Sequence, residues 1–209
     1  MAFAPEPALL SSRLLKTVVL GPALLALPLL AGCDRQSGEK AQPQPSVAAV
    51  ELGPVKPTEA AGTLDRSKKG TPLPQFTAKD PAGKELAFAS LTGKPVLVNL
   101  WATWCAPCIA ELPTLDKLAA GHEDKLQVVT VSQDMGDPGK VQNSLSSRKL
   151  GHLKAWLDPT GDLAFHYGAQ TLPISILYDA QGKELWRFSG GRDWTTAESA
   201  ALIGEAGIN

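Results

Sequence analysis

Hydrophobic and polar positions form regular patterns only in the part of the chain that follows residue 75. Residues 75–94 alternate, turn at 80–83 and alternate again, which predicts a β-hairpin. Residues 95–101 (PVLVNLW) are almost continuously apolar, which is typical of a buried central strand. Further strands are predicted at 126–132, 152–157, 174–180 and 183–190, and helices at 107–120, 138–150, 161–167 and from 195. This alternation predicts an α/β fold with a central mixed sheet, flanking helices and an N-terminal hairpin extension.

The N-terminal 32 residues have the layout of a signal peptide. Arg13 and Lys16 precede an apolar stretch, residues 17–31, that two prolines interrupt. A membrane-spanning helix needs roughly 20 apolar residues, so this run is less typical of a permanent span. Residues 30–33 (LAGC) resemble the bacterial lipobox, at which a diacylglyceryl group is attached to the cysteine and the signal is removed. Cys33 is therefore expected to be the first residue of the mature protein.

Lipidation of Cys33 predicts a membrane anchor on the periplasmic side of a bacterial cell. Ordinary cleavage that leaves Cys33 as a free thiol is the alternative. Asp34 resembles an inner-membrane retention signal, so we expect the inner membrane. Residues 34–70 contain no aromatic residue, which predicts a flexible tether over 33–70 and a folded domain over 71–209.

Candidate chemistry lies where the central strand passes into the first helix. Cys105 and Cys108 have Cys-x-x-Cys spacing in WATWCAPCIAELP, residues 101–113. A cysteine at a helix N-terminus has a stabilised thiolate, because free backbone N–H groups and the helix dipole favour the anion. Pro107 fits the first helical turn. The spacing predicts Cys105 as the nucleophile and Cys108 as the resolving thiol.

The cysteine pair also has possible functions other than redox exchange. A structural zinc site needs about four ligands, and His122, His152 and His166 show no paired spacing. A structural disulfide would gain little from closing so short a loop. Binding of Cu(I) by the two thiolates for copper delivery stays open as a non-enzymatic function. A peroxidase is less favoured because Val98 and Ala102 replace the proline and threonine of peroxiredoxin-like motifs.

The segment PVLVNLWATWCAPCIAELP resembles the membrane-tethered, periplasmic thioredoxin-like proteins of the TlpA/ResA type. The resemblance covers about residues 70–209 and implies a thioredoxin-like fold. It implies that Pro173 is a cis proline facing the active-site disulfide. Leu172 precedes it, where the family often has threonine, valine or another small residue. It also implies that Glu111 is a partly buried acid that exchanges protons with Cys108; the alternative is an exposed first-turn glutamate.

The resemblance implies a thiol:disulfide oxidoreductase that needs no cofactor other than its own Cys105–Cys108 disulfide. Its expected partners are exported client proteins with disulfides, such as apocytochrome c or copper-site thiols, and a membrane thiol donor of the DsbD or CcdA kind. Cytochrome c biogenesis is thus one expected context. A reductant is favoured, because Ala106-Pro107 differs from the Pro-His of DsbA-like oxidants and the stretch from Cys108 to Pro173 leaves little room for their helical insertion. An oxidant or isomerase is the alternative.

The remaining aromatic residues and the charge add a few expectations. Trp104, Pro107 and Leu172 are predicted to contact substrate. Trp101 is predicted to pack in the core, together with Met135, Trp156, Trp186 and Trp194.

The chain carries 20 Lys+Arg and 21 Asp+Glu, a net charge of −1, which is unlike the basic surplus of nucleic-acid-binding proteins. We therefore expect no nucleic-acid partner. Because the cysteine pair lacks further ligands for zinc, we also expect no metal centre.

Overall fold

The computed structural model describes residues 62–208, and the strands of this range form one mixed sheet. Eight strands are present in this part of the chain: β1 (Thr63–Asp65), β2 (Thr77–Lys79), β3 (Glu85–Ala87), β4 (Val96–Trp101), β5 (Gln127–Ser132), β6 (Trp156–Leu157), β7 (Ile174–Tyr178) and β8 (Glu184–Ser189). Their spatial order is β1-β8-β7-β4-β5-β6-β2-β3. The pairs β4–β5 and β5–β6 are parallel, and the other pairs are antiparallel.

Helices cover both faces of the sheet. They are α1 (Ala106–Gly121), α2 (Pro138–Ser147), α3 (Asp162–Tyr167), α4 (Ala197–Gly204) and a short 3₁₀ helix, Phe88–Ser90. Alternate residues of a strand point to opposite faces. Leu97 and Trp101 accordingly pack with α1, α2 and α4, whereas Val98 and Leu100 pack with α3 and the 3₁₀ helix. All of β4 is buried, which confirms the predicted central strand. The mixed sheet and its flanking helices confirm the predicted α/β fold class.

The predicted hairpin is confirmed as β2 and β3, and most other elements differ from prediction only at their ends. Helix α2 ends at Ser147 rather than 150, because Lys149 has a φ of 59°, which a continuing helix excludes. Strand β6 is only two residues long rather than spanning 152–157. The amides of His152 and Leu153 bind the Asp116 carboxylate at 2.8 and 3.2 Å instead of a neighbouring strand.

The start of the folded domain differs from the predicted boundary at residue 71. Strand β1 pairs with β8, and the Gly70 amide donates to the Glu184 carbonyl at 2.7 Å. Residues 62–70 are therefore part of the fold. No local sequence pattern predicts this, because the strand that pairs with β1 lies far away in the sequence. The predicted signal peptide, Cys33 and the tether residues up to 61 lie outside the described residues.

The prediction that Met135 packs in the core is wrong, because its side chain is 84% exposed in the loop after β5. Trp101, Trp156, Trp186 and Trp194 are buried as predicted. Within residues 62–208, no helix combines the length and the hydropathy that crossing a membrane requires.

Candidate active site

Cys105 and Cys108 form a disulfide where β4 passes into α1, with an S–S distance of 2.06 Å. Cys105 is the N-cap residue of α1, with extended backbone (φ −90°, ψ 101°). Its Sγ accepts a hydrogen bond from the Cys108 amide at 3.3 Å. Pro107 lies in the first turn, as predicted. A thiolate on Cys105 would therefore be stabilised by a backbone donor and by the positive end of the helix dipole.

The two cysteines differ in their access to solvent. Cys105 keeps 6% of its surface exposed, and Cys108 is completely buried. An incoming disulfide can therefore meet Cys105 first, whereas Cys108 can react only with a sulfur already bound at Cys105. This asymmetry matches a nucleophile paired with a resolving thiol.

The Leu172–Pro173 peptide bond is cis. Pro173 is buried, and its carbonyl accepts a hydrogen bond from the Gly190 amide at 2.9 Å. Leu172 is half-buried and packs against the apolar cluster that contains both cysteines. Of the predicted contact residues, Leu172 therefore packs beside the disulfide, whereas Trp104 and Pro107 are exposed.

The loop after β8 covers the first two turns of α1. A Cβ placed on Gly191 would lie 3.5 Å from the Cβ and the carbonyl oxygen of Pro107, so this loop is in contact with the helix. The Arg192 amide donates to Glu111 Oε2 at 3.0 Å, and the Trp194 amide donates to Thr114 Oγ1 at 3.2 Å. The loop thereby shields the α1 carboxylate from solvent.

Glu111 is a buried acid, only 3% exposed, and lies three residues after Cys108 on α1. This is the buried arrangement expected from the family resemblance, and not that of an exposed first-turn glutamate. Burial raises the pKa of Glu111 from 4.5 to about 7, although hydrogen bonds from the Asn99 side chain and the Arg192 amide favour the charged form. A carboxyl group that titrates near neutrality can both accept and release a proton.

A second buried carboxylate holds the segment that precedes Cys105. Asp134 accepts from the amide and the hydroxyl of Thr103, at 2.7 and 2.6 Å, and from the Ser132 hydroxyl at 2.7 Å. Burial alone would raise the pKa of Asp134, but these hydrogen bonds outweigh it and hold the pKa below its ordinary value. Trp104 follows Thr103 directly and is 67% exposed, so it presents a large apolar surface beside the disulfide.

The sequence patterns did not single out three residues of this site. Asn99 is a single polar position inside the apolar run of β4, and this interruption was a usable signal. Ser175 lies two residues after Pro173 and accepts from the Asn99 amide at 3.0 Å. Asp134 had no comparable signal, because aspartate after a strand is common in ordinary turns.

Comparison with known proteins gives related sequences over the described range. The sequence model of the Redoxin family matches residues 68–203. The thiol-disulfide oxidoreductase ResA of Bacillus thuringiensis subsp. konkukian is 30% identical over 127 residues, which is 60% of this chain and 72% of that protein. The thiol:disulfide interchange protein DsbE of Pseudomonas fluorescens biotype C is 33% identical over 144 residues, or 66% of this chain and 79% of that protein.

A solved structure shows the same fold. The exposed lipoprotein thioredoxin Etrx1 of Streptococcus pneumoniae superimposes with a TM-score of 0.53 and 26% sequence identity. The match covers 63% of this chain and 97% of that one. Together with the mixed sheet and the disulfide at the start of α1, it confirms the predicted thioredoxin-like fold.

Proposed function

The chain belongs to the Redoxin family and is a thiol-disulfide oxidoreductase with a Cys105–Cys108 disulfide, and from this premise we propose that it works as a lipid-anchored reductant of exported proteins. Its clients would be proteins with disulfides at cysteines that must later bind haem or copper. The observation that carries the proposal is the buried Glu111 close in sequence to a disulfide of which only the first cysteine keeps any exposed surface.

The proposed cycle begins with the dithiol form. The Cys105 thiolate attacks one sulfur of a client disulfide, forms a mixed disulfide and displaces the other client sulfur as a thiolate. Cys108 gives its proton to the Glu111 carboxylate, and the resulting thiolate attacks the Cys105 sulfur. The second client sulfur leaves, so the client has gained two electrons and the Cys105–Cys108 disulfide has formed.

Glu111 suits this proton transfer through its position and its surroundings. It follows Cys108 by three residues, so the two side chains occupy neighbouring positions on α1. With a pKa of about 7, a substantial fraction of the carboxyl groups is ionised at neutral pH and available as a base. Water cannot easily replace it, because Glu111 and Cys108 are both buried.

The contact surface for the client would consist of Trp104, Pro107 and Leu172, with Pro173 facing the bound segment. Trp104 is the most exposed of these residues and immediately precedes the nucleophile. An extended client segment could cover the disulfide between Trp104 and the cis-proline loop.

The proposed direction of electron flow is supported by the elements between the disulfide and Pro173. After α1, this stretch contains only β5, the ten-residue α2, β6 and the six-residue α3. It thus lacks space for the large helical insertion of DsbA-like oxidants. Each turnover leaves the disulfide form, so a membrane thiol donor of the DsbD or CcdA kind would have to restore the dithiol.

We further propose that residues 1–32 are a lipoprotein signal and that a lipid on Cys33 anchors the protein at the periplasmic face of the inner membrane. The name of the pneumococcal relative describes an exposed lipoprotein, in accord with this location. The register of the sheet shows where the chain that follows this segment enters the fold. Thr63 pairs with Ser189, Ser189 with Ile174, and Ile174 with Leu100, just before the active-site loop.

The proposed tether would therefore join the fold at the end of the sheet where β4 leads into the disulfide loop. Strand β1 is three strands away from β4, which corresponds to about 14 Å at the usual strand spacing. A lipid attached through this end would keep Cys105 close to membrane-bound donors and clients.

The reduction potential of the chain from residue 34 onward, which lacks Cys33 and its proposed lipid, tests the direction of transfer. Tryptophan fluorescence and thiol alkylation would follow equilibration with thiol buffers, and the Cys108→Ser variant, which cannot form the disulfide, is the control. A potential near or below about −220 mV supports a reductant. A potential near about −120 mV would instead indicate a DsbA-like oxidant, and tight Cu(I) binding without turnover of a protein disulfide would indicate copper delivery.

A further inference from the structure

Asn99 is a buried polar side chain in the middle of the central strand. It has no exposed surface, and its position in β4 places it on the same face as Leu97 and Trp101, toward α1. An amide in such a place is costly unless its donors and its acceptor are all used. Its contacts therefore indicate what it does there.

Both N–H groups of the Asn99 amide have partners, and its oxygen has none among the described residues. Nδ2 donates to Glu111 Oε1 at 2.7 Å and to Ser175 Oγ at 3.0 Å. Oδ1 is buried and accepts no hydrogen bond. The Asn99 amide is thus oriented to donate a hydrogen bond to the Glu111 carboxylate, although the amide oxygen is left without a donor.

The Asn99 donor acts on the ionised form of Glu111. A hydrogen bond to a carboxylate stabilises the anion, whereas burial among apolar side chains stabilises the neutral acid. The Arg192 amide is a second donor, at 3.0 Å from Oε2, and the Trp194 side chain also favours the anion and lowers the pKa of Glu111. The proton affinity of Glu111 is accordingly a balance between burial, which favours the neutral acid, and these three groups, which favour the anion.

Other charged or titratable groups near Glu111 contribute less directly. The Arg192 guanidinium points elsewhere: Nε binds Ser199 Oγ at 2.7 Å, and Cζ lies 5.0 Å from the centroid of the Phe188 ring. Asp193 is exposed and binds Thr195. On α1 itself, the titratable neighbours in the reduced protein are the two cysteines.

We propose that Asn99 is a positioning residue that sets the proton affinity of Glu111, and that Ser175 helps to hold the Asn99 side chain beside the carboxylate. This inference rests on the proposed function, in which Glu111 takes the proton of Cys108. Once Glu111 is protonated, its O–H needs an acceptor. A half-turn of the amide would present Oδ1 to that O–H and to the Ser175 hydroxyl, so one side chain can match both states of the acid.

The sheet offers a matched control in Thr130. It is the β5 residue directly opposite Asn99, and it is equally inaccessible, with 1% exposure. Its hydroxyl donates to the Lys154 carbonyl at 3.2 Å and not to Glu111. Thr130→Ala therefore removes a buried hydroxyl from the same row of the sheet without touching the acid.

The experiment is a pH titration of the Glu111 carboxyl by ¹³C NMR in the full chain, purified in detergent and reduced, with Glu111→Gln to assign the signal. Asn99→Ala should raise the pKa of Glu111 by about one pH unit or more, because the anion loses a charge-assisted hydrogen bond. Ser175→Ala should raise it by a smaller amount, and Thr130→Ala should leave it unchanged. The pH midpoint of thiol exchange should move upward by the same amounts.

The inference is overturned if folded Asn99→Ala and Ser175→Ala proteins titrate like Thr130→Ala. If Asn99→Ala does not fold, Ser175→Ala alone decides. A rise in the pKa of Glu111 in this variant supports the inference, and an unchanged pKa refutes it. A movement of the Glu111 midpoint without any change in the pH profile of exchange would support the role of Asn99. It would contradict the proposed role of Glu111 in proton transfer, so the two ideas can fail separately.

Discussion

Replacing Glu111 with glutamine should remove most of the pH dependence of folding stability between pH 5 and pH 8. In the folded chain, burial raises the pKa of Glu111 from 4.5 to about 7. The unfolded chain releases this proton near its ordinary value. Between the two pKa values the folded state binds more protons than the unfolded state, so the free energy of unfolding falls as pH rises. The contribution of the protonated Glu111 is fully lost above about pH 7.

The size of this loss follows from the two pKa values. One pH unit corresponds to about 1.4 kcal/mol, so a rise from 4.5 to about 7 corresponds to about 3 kcal/mol. Of this, about 2 to 3 kcal/mol should appear between pH 5 and pH 8. Glu111 is 3% exposed, so screening by solvent reduces the effect only slightly. The other shifted groups in the described range do not interfere, since burial or hydrogen bonding moves their pKa values away from this interval.

Urea denaturation of the oxidised chain from residue 34 onward at several pH values would measure the effect. Glu111→Gln has the same shape and no charge, and after a half-turn of its side-chain amide Asn99 could present its unpaired oxygen to the new amide. Its stability should change by less than about 1 kcal/mol over the range in which the wild type loses about 2 to 3 kcal/mol. Glu85→Gln, which alters a side chain that is 61% exposed, should behave like the wild type. Equal slopes for wild type and Glu111→Gln would refute the reasoning.

Three other variants test separate parts of the molecule. Cys33→Ala should abolish partition of the mature protein into a detergent phase, and the same partition for wild type and variant would contradict lipidation. Asp134→Asn should lower stability by about 1 to 3 kcal/mol in urea denaturation near neutral pH, because a buried ionised acceptor for Thr103 is lost; an unchanged midpoint would contradict this. Trp104→Ala should lower kcat/KM for a protein disulfide several-fold but not for a small disulfide, whereas Met135→Ala, the exposed control, should lower neither.

The pattern of the sequence was sufficient to predict the elements around the disulfide. Residues 95–101 are apolar enough to require burial on both faces, and the cysteine spacing follows at once. These are local features, and the structure confirms β4 and α1 almost to the residue. Strand β1 could not be predicted, because three residues of ordinary composition form a strand only when the β8 edge is available.

The surroundings of Glu111 show a similar division. Its place three residues after Cys108 was visible in the sequence, but one of its hydrogen bonds comes from the loop after β8, and its donor Asn99 is bound to β7. The Arg192 amide contacts it from 81 positions away, and Ser175 reaches Asn99 across 76. For Met135 the prediction from residue type was wrong. Methionine is usually buried, but here Met135 is exposed and the preceding Asp134 is buried, where its carboxylate binds Thr103. Side-chain type alone could not reveal which of the two neighbours faces the core.

The stability lost through Glu111 and its strength as a base have the same physical origin. With an ordinary pKa the carboxyl group would cost little stability, but it would be a weak base for a thiol proton. Without the Asn99 and Arg192 donors, burial would keep it protonated through neutral pH, and it could accept nothing. A pKa near 7 therefore requires both a buried site and a small number of donors. Each variant that removes a donor should raise the pKa of Glu111 and move the pH midpoint of thiol exchange in the same direction, because a single proton equilibrium determines both.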